Sequence, residues 1–295
     1  MKLVIYSRPE LSSEPEELKH FFGQLEANSF EYNVNASFAE MLADKGIVDI
    51  PLVKRYDHEQ GLPADADIVI SYGGDGTFLD SVRLVDTRPV PILGINSGRM
   101  GFLANVSKEN MEEAFRDIRE GKYSVEERVL LKIEGDFNDN VEYPYAFNEV
   151  SIEKSGVTTI SVDVAIDGEP VTAYLGDGLI LSTPSGSTAY ALSVGGPIVA
   201  PNIGCFILAP IASHNLTMRP LVIPDSGTLN FTVYSRSGKA VITMDNRDHT
   251  VDSGSSFTVT KAKKSVFLIK LQNISFYRTL REKMMWGIET RKFIK

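Results

Sequence analysis

Near residue 124 the hydrophobic rhythm of this 295-residue chain changes, dividing it into two kinds of structure. Before that point, short β-branched runs alternate with amphipathic stretches, the pattern of βα layers around a parallel sheet. Residues 2–7 read as an opening strand, 14–27 as a helix with Leu18, Phe21, Phe22 and Leu25 on one face, and 38–45 as a shorter helix. Strands are expected at 67–72 and 91–95, with a helix over 77–85 between them and another running from a Ser107 cap to about residue 120. Beyond residue 124, runs rich in Val, Ile, Leu and Thr are separated by Gly, Asp and Asn turns, which is the texture of antiparallel β-structure. Strands are expected at 129–134, 159–166, 178–183, 205–209, 228–234, 240–244, 256–260 and 265–271, with Asp167-Gly168 as a hairpin turn. Apolar spacing at Phe276, Leu280, Met284 and Trp286 makes the tail helical again. The sequence therefore predicts an α/β plus all-β chain. Its parts are an N-terminal α/β domain over 1–122, a β-sandwich-like domain over 123–275, and a helical tail over 276–295 that packs back on the first domain.

A hydrophobic content of 43% can fill two cores. No apolar run of about 18 residues occurs and the first ten residues lack a signal-peptide pattern, so a soluble cytoplasmic protein with no membrane partner is expected. Cys205 is the sole cysteine and sits in an apolar run, which excludes a disulfide framework or a cysteine-rich metal site within one chain. The net charge of −9 gives no footprint for a nucleic-acid backbone. A chain this acidic can handle phosphates only locally, through backbone N–H groups, helix N-termini and metal ions.

The segment Ile70-Ser71-Tyr72-Gly73-Gly74-Asp75-Gly76-Thr77-Phe78 meets that requirement, since an apolar strand empties into three glycines and then into a helix. Glycine lets the backbone approach a ligand closely, and the helix start offers unpaired N–H groups and a positive partial charge. No lysine follows the glycines, so this is not a Walker loop, and the spacing is not that of the dinucleotide fingerprint. A carboxylate placed among phosphates must accept a proton from an attacking hydroxyl or help to hold a metal ion, which makes Asp75 the candidate catalytic residue. The competing reading is an ordinary turn with a helix-capping aspartate.

Further on, Gly176-Asp177-Gly178-Leu179-Ile180-Leu181-Ser182-Thr183-Pro184-Ser185-Gly186-Ser187-Thr188-Ala189-Tyr190 places a strand between two polar turns, the second dense in hydroxyls. Asn148-Glu149, before a strand over 150–153, adds an amide and a carboxylate able to read ribose hydroxyls, or else marks a solvated strand end. With Leu192-Ser193-Val194-Gly195-Gly196-Pro197 and Ala209-Pro210-Ile211-Ala212-Ser213-His214-Asn215-Leu216, these blocks resemble the NAD kinase family along nearly the whole chain. The Gly-Gly-Asp-Gly-Thr element alone is shared with lipid and sugar kinases; the second-half blocks are more specific.

The resemblance implies an N-terminal nucleotide-binding domain and phosphoryl transfer from ATP, with a divalent ion such as Mg²⁺, to the 2′-hydroxyl of the adenosine ribose of NAD. It implies that Asp75 is the proton acceptor and that Gly73, Gly74 and Gly76 shape the phosphate pocket. Asn148, Glu149, Asp177, Ser185, Thr188, Ala189, Tyr190, Ser193 and Ala212 match NAD-binding positions. Phe102, in Gly98-Arg99-Met100-Gly101-Phe102, matches an aromatic residue beside the adenine, although a core phenylalanine fits its position equally well. His214 reads as a structural hydrogen-bonding residue, with no histidine or cysteine near it to suggest a metal site. Two positions depart from the family pattern. Leu175 stands where several members carry an arginine, and Met244-Asp245-Asn246-Arg247 lacks a glycine, leaving Arg247 either as a replacement positive charge or as an exposed turn residue. The resemblance also implies a homo-oligomer, dimer or tetramer. A kinase acting on another acceptor and a non-catalytic NAD-binding module are the competing functions, and the metal-holding residues are left unassigned.

Overall fold

The structure is a computed structural model that describes residues 1–10, 13–86, 88–98 and 101–287. Arg99 and Met100 of the Phe102 segment, and 288–295 of the expected helical tail, lie outside the described residues. The chain forms two compact units, one of residues 1–127 with 266–295 and the other of 128–265.

The first unit opens with β1 (Lys2–Tyr6), α1 (Pro15–Ala27), β2 (Glu31–Asn35), α2 (Ala36–Asp44) and β3 (Arg55–Tyr56). It continues with β4 (Ile68–Gly73), α3 (Asp75–Val85), β5 (Ile92–Asn96) and α4 (Met111–Arg119). The second unit is built from β6 (Tyr123–Gly135), β7 (Tyr145–Ala146), β8 (Glu149–Lys154), β9 (Ile160–Ile166), β10 (Glu169–Gly176), β11 (Gly178–Ser182) and α5 (Tyr190–Ser193). There follow β12 (Cys205–Ile211), β13 (Leu221–Pro224), β14 (Leu229–Ser235), β15 (Lys239–Met244), β16 (Arg247–Asp252) and β17 (Ser256–Leu271). The long strands β6 and β17 carry the chain across the boundary, and α6 (Phe276–Met284) belongs to the first unit.

In the first unit the strands run parallel in the order β3-β2-β1-β4-β5, with the end of β17 joining β5 through Leu268 and Ile92. β4 is buried along its whole length, as a central parallel strand covered on both faces must be. The chain builds outward from β1 on one side through β2 and β3, then returns to the other side with β4 and β5. The carboxyl ends of β1 and β4 therefore flank a topological switch point, where ligands enter such sheets. α1 and α4 cover one face. Phe21 is fully buried and meets Phe22, Tyr72 and Phe115 with ring centroids 4.6–5.9 Å apart.

The second unit is a sandwich. One sheet has the order β10-β9-β14 with the first half of β17, and the other the order β13-β12-β11-β8-β15-β16. Val162, Val164, Phe231 and Val233 of the first interleave with Val150, Ile152, Leu179 and Phe206 of the second in one core. The Asp167-Gly168 turn joins β9 to β10 with φ of 52° and 84°, the two positive values a two-residue hairpin of this type requires. Strands expected at 256–260 and 265–271 are one continuous 16-residue strand, because a single strand can serve two different sheet neighbourhoods in succession. β2, β3, β7, β10, β13 and β16 were not anticipated. Their sequences are polar or short, and β3, β10, β13 and β16 are edge strands, which lack the two-sided burial that writes a clear hydrophobic pattern. Ser107 precedes a 3₁₀ turn, and the α-helix starts only at Met111.

Replacing Phe21 with alanine should remove the hub of the aromatic cluster and cost about 3–5 kcal/mol; urea unfolding followed by far-UV circular dichroism measures this directly.

Candidate active site

β4 delivers its last residue, Gly73, to the switch point, and α3 begins immediately at Asp75 with Gly74 as its N-cap. A Cβ on Gly73 would lie 2.4 Å from Thr77 Oγ1, so the tight entry into the helix demands glycine. A Cβ on Gly74 would meet nothing within 4 Å, and one on Gly76 would make only ordinary contact with the Arg8 guanidinium. The helix starts two residues earlier than its periodicity suggests. This puts Asp75 in the first turn, where a negative side chain is favoured by the helix dipole.

The Asp75 carboxylate does not cap its own helix. Oδ2 accepts the Phe102 N–H at 3.1 Å, while Oδ1 accepts those of Leu103 and Ala104 at 3.2 and 3.1 Å. The turn after β5 thus closes over the carboxylate, and a Cβ on Gly101 would fall 1.9 Å from Oδ1. A carboxylate offers about four lone-pair directions, so three N–H bonds leave about one, on Oδ2. Phe102 is half-buried instead of sitting in the core. Its ring lies 6.3 Å from that of Phe276, and Lys283 Nζ stands 4.5 Å from its centroid. Lys283 also approaches Asp75 Oδ2 at 3.9 Å. From the end of β1, Arg8 donates to Asp80 Oδ2 at 2.6 Å and to the Gly76 carbonyl at 3.2 Å. Neither cation was singled out from sequence, since each is remote from the loop along the chain.

In the second unit, another aspartate organises the polar residues. Asp245, in the turn between β15 and β16, has φ of 54°, a conformation Asp tolerates better than most residues. Its carboxylate accepts the N–H groups of Phe147, Asn148 and Glu149 at 2.8, 2.7 and 3.3 Å. Asn148 and Glu149 are therefore buried and fixed at the start of β8, and no solvated strand end is found there. The Asn148 side-chain oxygen and Glu149 Oε2 are buried with no hydrogen-bond partner among the described residues. Burial first, and the Asp245 charge second, push the Glu149 carboxyl up to about 8, with a backbone hydrogen bond from Tyr190 opposing them. The hydroxyl-rich turn packs directly on this strand end: a Cβ on Gly186 would lie 2.2 Å from the Asn148 carbonyl oxygen, and that oxygen accepts the Thr183 N–H at 2.8 Å.

Glu149, Tyr190 and Asp245 line a cleft of about 360 Å³ together with Glu153, Lys154 and Asp248. Tyr190 is partly exposed and its hydroxyl reaches Glu153 Oε2 at 3.4 Å; Asp177 is held by Lys154 Nζ at 2.6 Å. Ser185 is buried and its carbonyl accepts the Thr188 hydroxyl at 3.3 Å, while Ala189 follows the same turn. Ser193 and Ala212 are exposed, Ala212 with φ of 44°, and neither lines this cleft. His214 is also exposed; its backbone N–H bonds the Leu175 carbonyl at 2.9 Å. Arg247 is half-buried and donates to the carbonyls of Tyr143 at 2.6 Å and Tyr145 at 2.5 Å, a role in closing the fold that the exposed-turn reading did not foresee.

A glycine loop with an oriented carboxylate at a parallel-sheet switch point, in a chain that also carries an antiparallel sandwich with buried polar groups, defines a phosphotransferase of the glycine-loop class. The model for the ATP-NAD kinase N-terminal domain matches residues 9–123 and that for the ATP-NAD kinase C-terminal domain residues 147–271. The NAD kinase of Bacteroides fragilis is 39% identical over 292 residues, covering 99% of this chain and 100% of that one. The NAD kinase of Cytophaga hutchinsonii is 34% identical with the same coverage. Among solved structures, yeast NADH kinase complexed with NADH aligns with a TM-score of 0.86 at 22% identity, over 99% of this chain and 89% of that one, a likeness of fold. An NAD kinase from Archaeoglobus fulgidus in complex with ATP aligns at 0.73 and 26% identity, over 96% and 98%. The chain belongs to the ATP-NAD kinase family.

The raised Glu149 carboxyl makes stability depend on pH. The folded state keeps this proton up to about pH 8, whereas the unfolded chain releases it near the ordinary value of 4.5. The contribution of the protonated carboxyl is thus complete below 4.5 and is lost as pH rises toward 8. Glu149→Gln should remove this slope, so that its stability relative to the parent chain rises by roughly 2–4 kcal/mol across the window; denaturant melts at several pH values read the difference.

Proposed function

We propose that this protein transfers the terminal phosphoryl group of ATP, or a similar donor, to the 2′-hydroxyl of the adenosine ribose of NAD, giving NADP. The observation that carries the reading is the Asp75 carboxylate, anchored by three N–H groups with one oxygen still able to accept a hydroxyl proton. Family membership across the chain supports the donor and the acceptor. Asp75 takes the 2′-hydroxyl proton, the ribose oxygen attacks the terminal phosphorus in line, and the bond to the leaving ADP oxygen breaks. Gly73, Gly74 and Gly76 let the chain approach the phosphates, and the α3 N-terminus stabilises their charge. Phe102 packs beside the adenine.

In the second unit, the buried Asn148 oxygen and the Glu149 carboxyl supply an acceptor and a proton donor for NAD, and Asp177, Ser185, Thr188, Ala189 and Tyr190 complete its binding. Ser193, Ala212 and Arg247 add further NAD contacts, Arg247 while also tied to the carbonyls of Tyr143 and Tyr145. A magnesium ion held on the ATP phosphates would neutralise donor charge. Such an ion needs only one or two carboxylates when phosphates and water supply the remaining ligands, which fits a chain whose described residues group no three His, Cys, Asp or Glu side chains into a cage. We also assign the protein to the cytoplasm and to a homo-oligomer, dimer or tetramer. Among the described residues no helix is long and apolar enough to cross a membrane. The edge strand β13 presents the partly exposed apolar residues Leu221 and Val222, as a subunit contact would.

Incubating the purified chain with NAD, ATP and magnesium and assaying NADP tests the activity; absence of NADP with every donor and metal, despite tight NAD binding by calorimetry, would replace it with a binding module. Asp75→Asn should leave NAD affinity largely intact while lowering turnover about 10²-fold or more, and unchanged steady-state turnover would remove Asp75 from the base role.

A further inference from the structure

Phosphoryl transfer gathers negative charge around the moving group, and enzymes meet it with cations. Between Ile70 and Phe78 this chain has no lysine or arginine. Among the described residues the fold brings Arg8 and Lys283 to the loop from elsewhere in the first unit. Arg8 is spent on Asp80 at 2.6 Å and on the Gly76 carbonyl, so its charge is largely balanced. Lys283, in the last turn of α6, is differently placed. Its ammonium stands 3.9 Å from Asp75 Oδ2, beyond hydrogen-bonding distance, and 4.5 Å from the centroid of the Phe102 ring. Its side chain is 35% exposed, and no hydrogen bond among the described residues engages its three donors. The ring face and the negative end of the α6 dipole both favour a cation there.

We propose that Lys283 is the phosphate-contacting cation of the reaction. Its ammonium stays beside the Asp75 carboxylate, leaving the open Oδ2 lone pair to the ribose hydroxyl, and donates to an oxygen of the transferring phosphoryl group, doing from the C-terminal helix what a loop lysine does in a Walker site. The assignment rests on phosphoryl transfer at Asp75 and extends it to a residue that the glycine-loop motif does not contain. The flexible stem of lysine suits the task, since its ammonium can swing toward a bound phosphate oxygen while keeping its place beside the Phe102 ring.

The test compares the full chain with Lys283→Met, which keeps the stem on Phe102 and removes the charge, and with Lys283→Arg. Two quantities are read: kcat and KM for ATP and for NAD from NADP formation, and calorimetric affinity for inorganic tripolyphosphate. Lys283→Met should lower kcat/KM for ATP and weaken tripolyphosphate binding by about 10- to 100-fold, the scale of one charge-assisted hydrogen bond. KM for NAD should be unchanged, and Lys283→Arg should recover much of the loss. Unaltered tripolyphosphate affinity in Lys283→Met, or a loss confined to NAD, would overturn the proposal. If the parent chain makes no NADP, the kinase reading fails, while the tripolyphosphate comparison still decides the role of Lys283. If Lys283→Met does not fold, Lys283→Gln is read in the same way.

Discussion

In each unit a single aspartate gathers three consecutive backbone N–H groups, Asp75 those of Phe102, Leu103 and Ala104, and Asp245 those of Phe147, Asn148 and Glu149. Charge-assisted bonds of this kind are stronger than neutral ones, and three on one carboxylate fix a loop that has no regular structure of its own. The polar groups that matter chemically are therefore oriented by backbone geometry before any ligand arrives. The Asp75 clamp settles the turn that carries Phe102. The Asp245 clamp settles the strand end at which Asn148 and Glu149 are buried.

The same device answers the electrostatic difficulty of an acidic chain that handles phosphates. A net charge of −9 opposes a polyanion at long range, so local donors and a few placed cations must offset it. Burial raises the Asp245 carboxyl, its N–H bonds and Arg247 oppose that rise, and the neighbouring Glu149 carboxyl is pushed up to about 8 by burial and by the Asp245 charge. Protonated, Glu149 can donate a hydrogen bond that an ionised carboxylate could not. Around Asp75, among the described residues, Arg8 is balanced by Asp80, while Lys283 keeps donors to offer.

Much of this was legible along the chain. The alternation of β-branched and amphipathic segments before residue 124 marks β1, α1, β4, α3 and β5 within a residue or two, because each buries a face whose periodicity is written locally. The glycine at 73 announces a close approach that only the absence of a Cβ permits, whereas the equally tight packing of Gly186 on Asn148 appears only in the fold. Strands such as β10 and β16 escape that reading, since their alternation is weak and their stability comes from neighbours paired across the sheet.

By itself the sequence determined the fold class, the family and the position of the carboxylate on its glycine loop, because these depend on local periodicity and on motifs contiguous in the chain. Only the tertiary structure decided what each charged group does. Asp245, Lys283 and Arg8 lie 96, 208 and 67 residues from Glu149, Asp75 and Asp75 respectively, so no local pattern connects them. Whether Asp75 caps a helix or clamps a distant turn, and whether Arg247 is an exposed cation or a tie between carbonyls, follows from which backbone groups folding brings within about 3 Å, the range over which hydrogen bonds act.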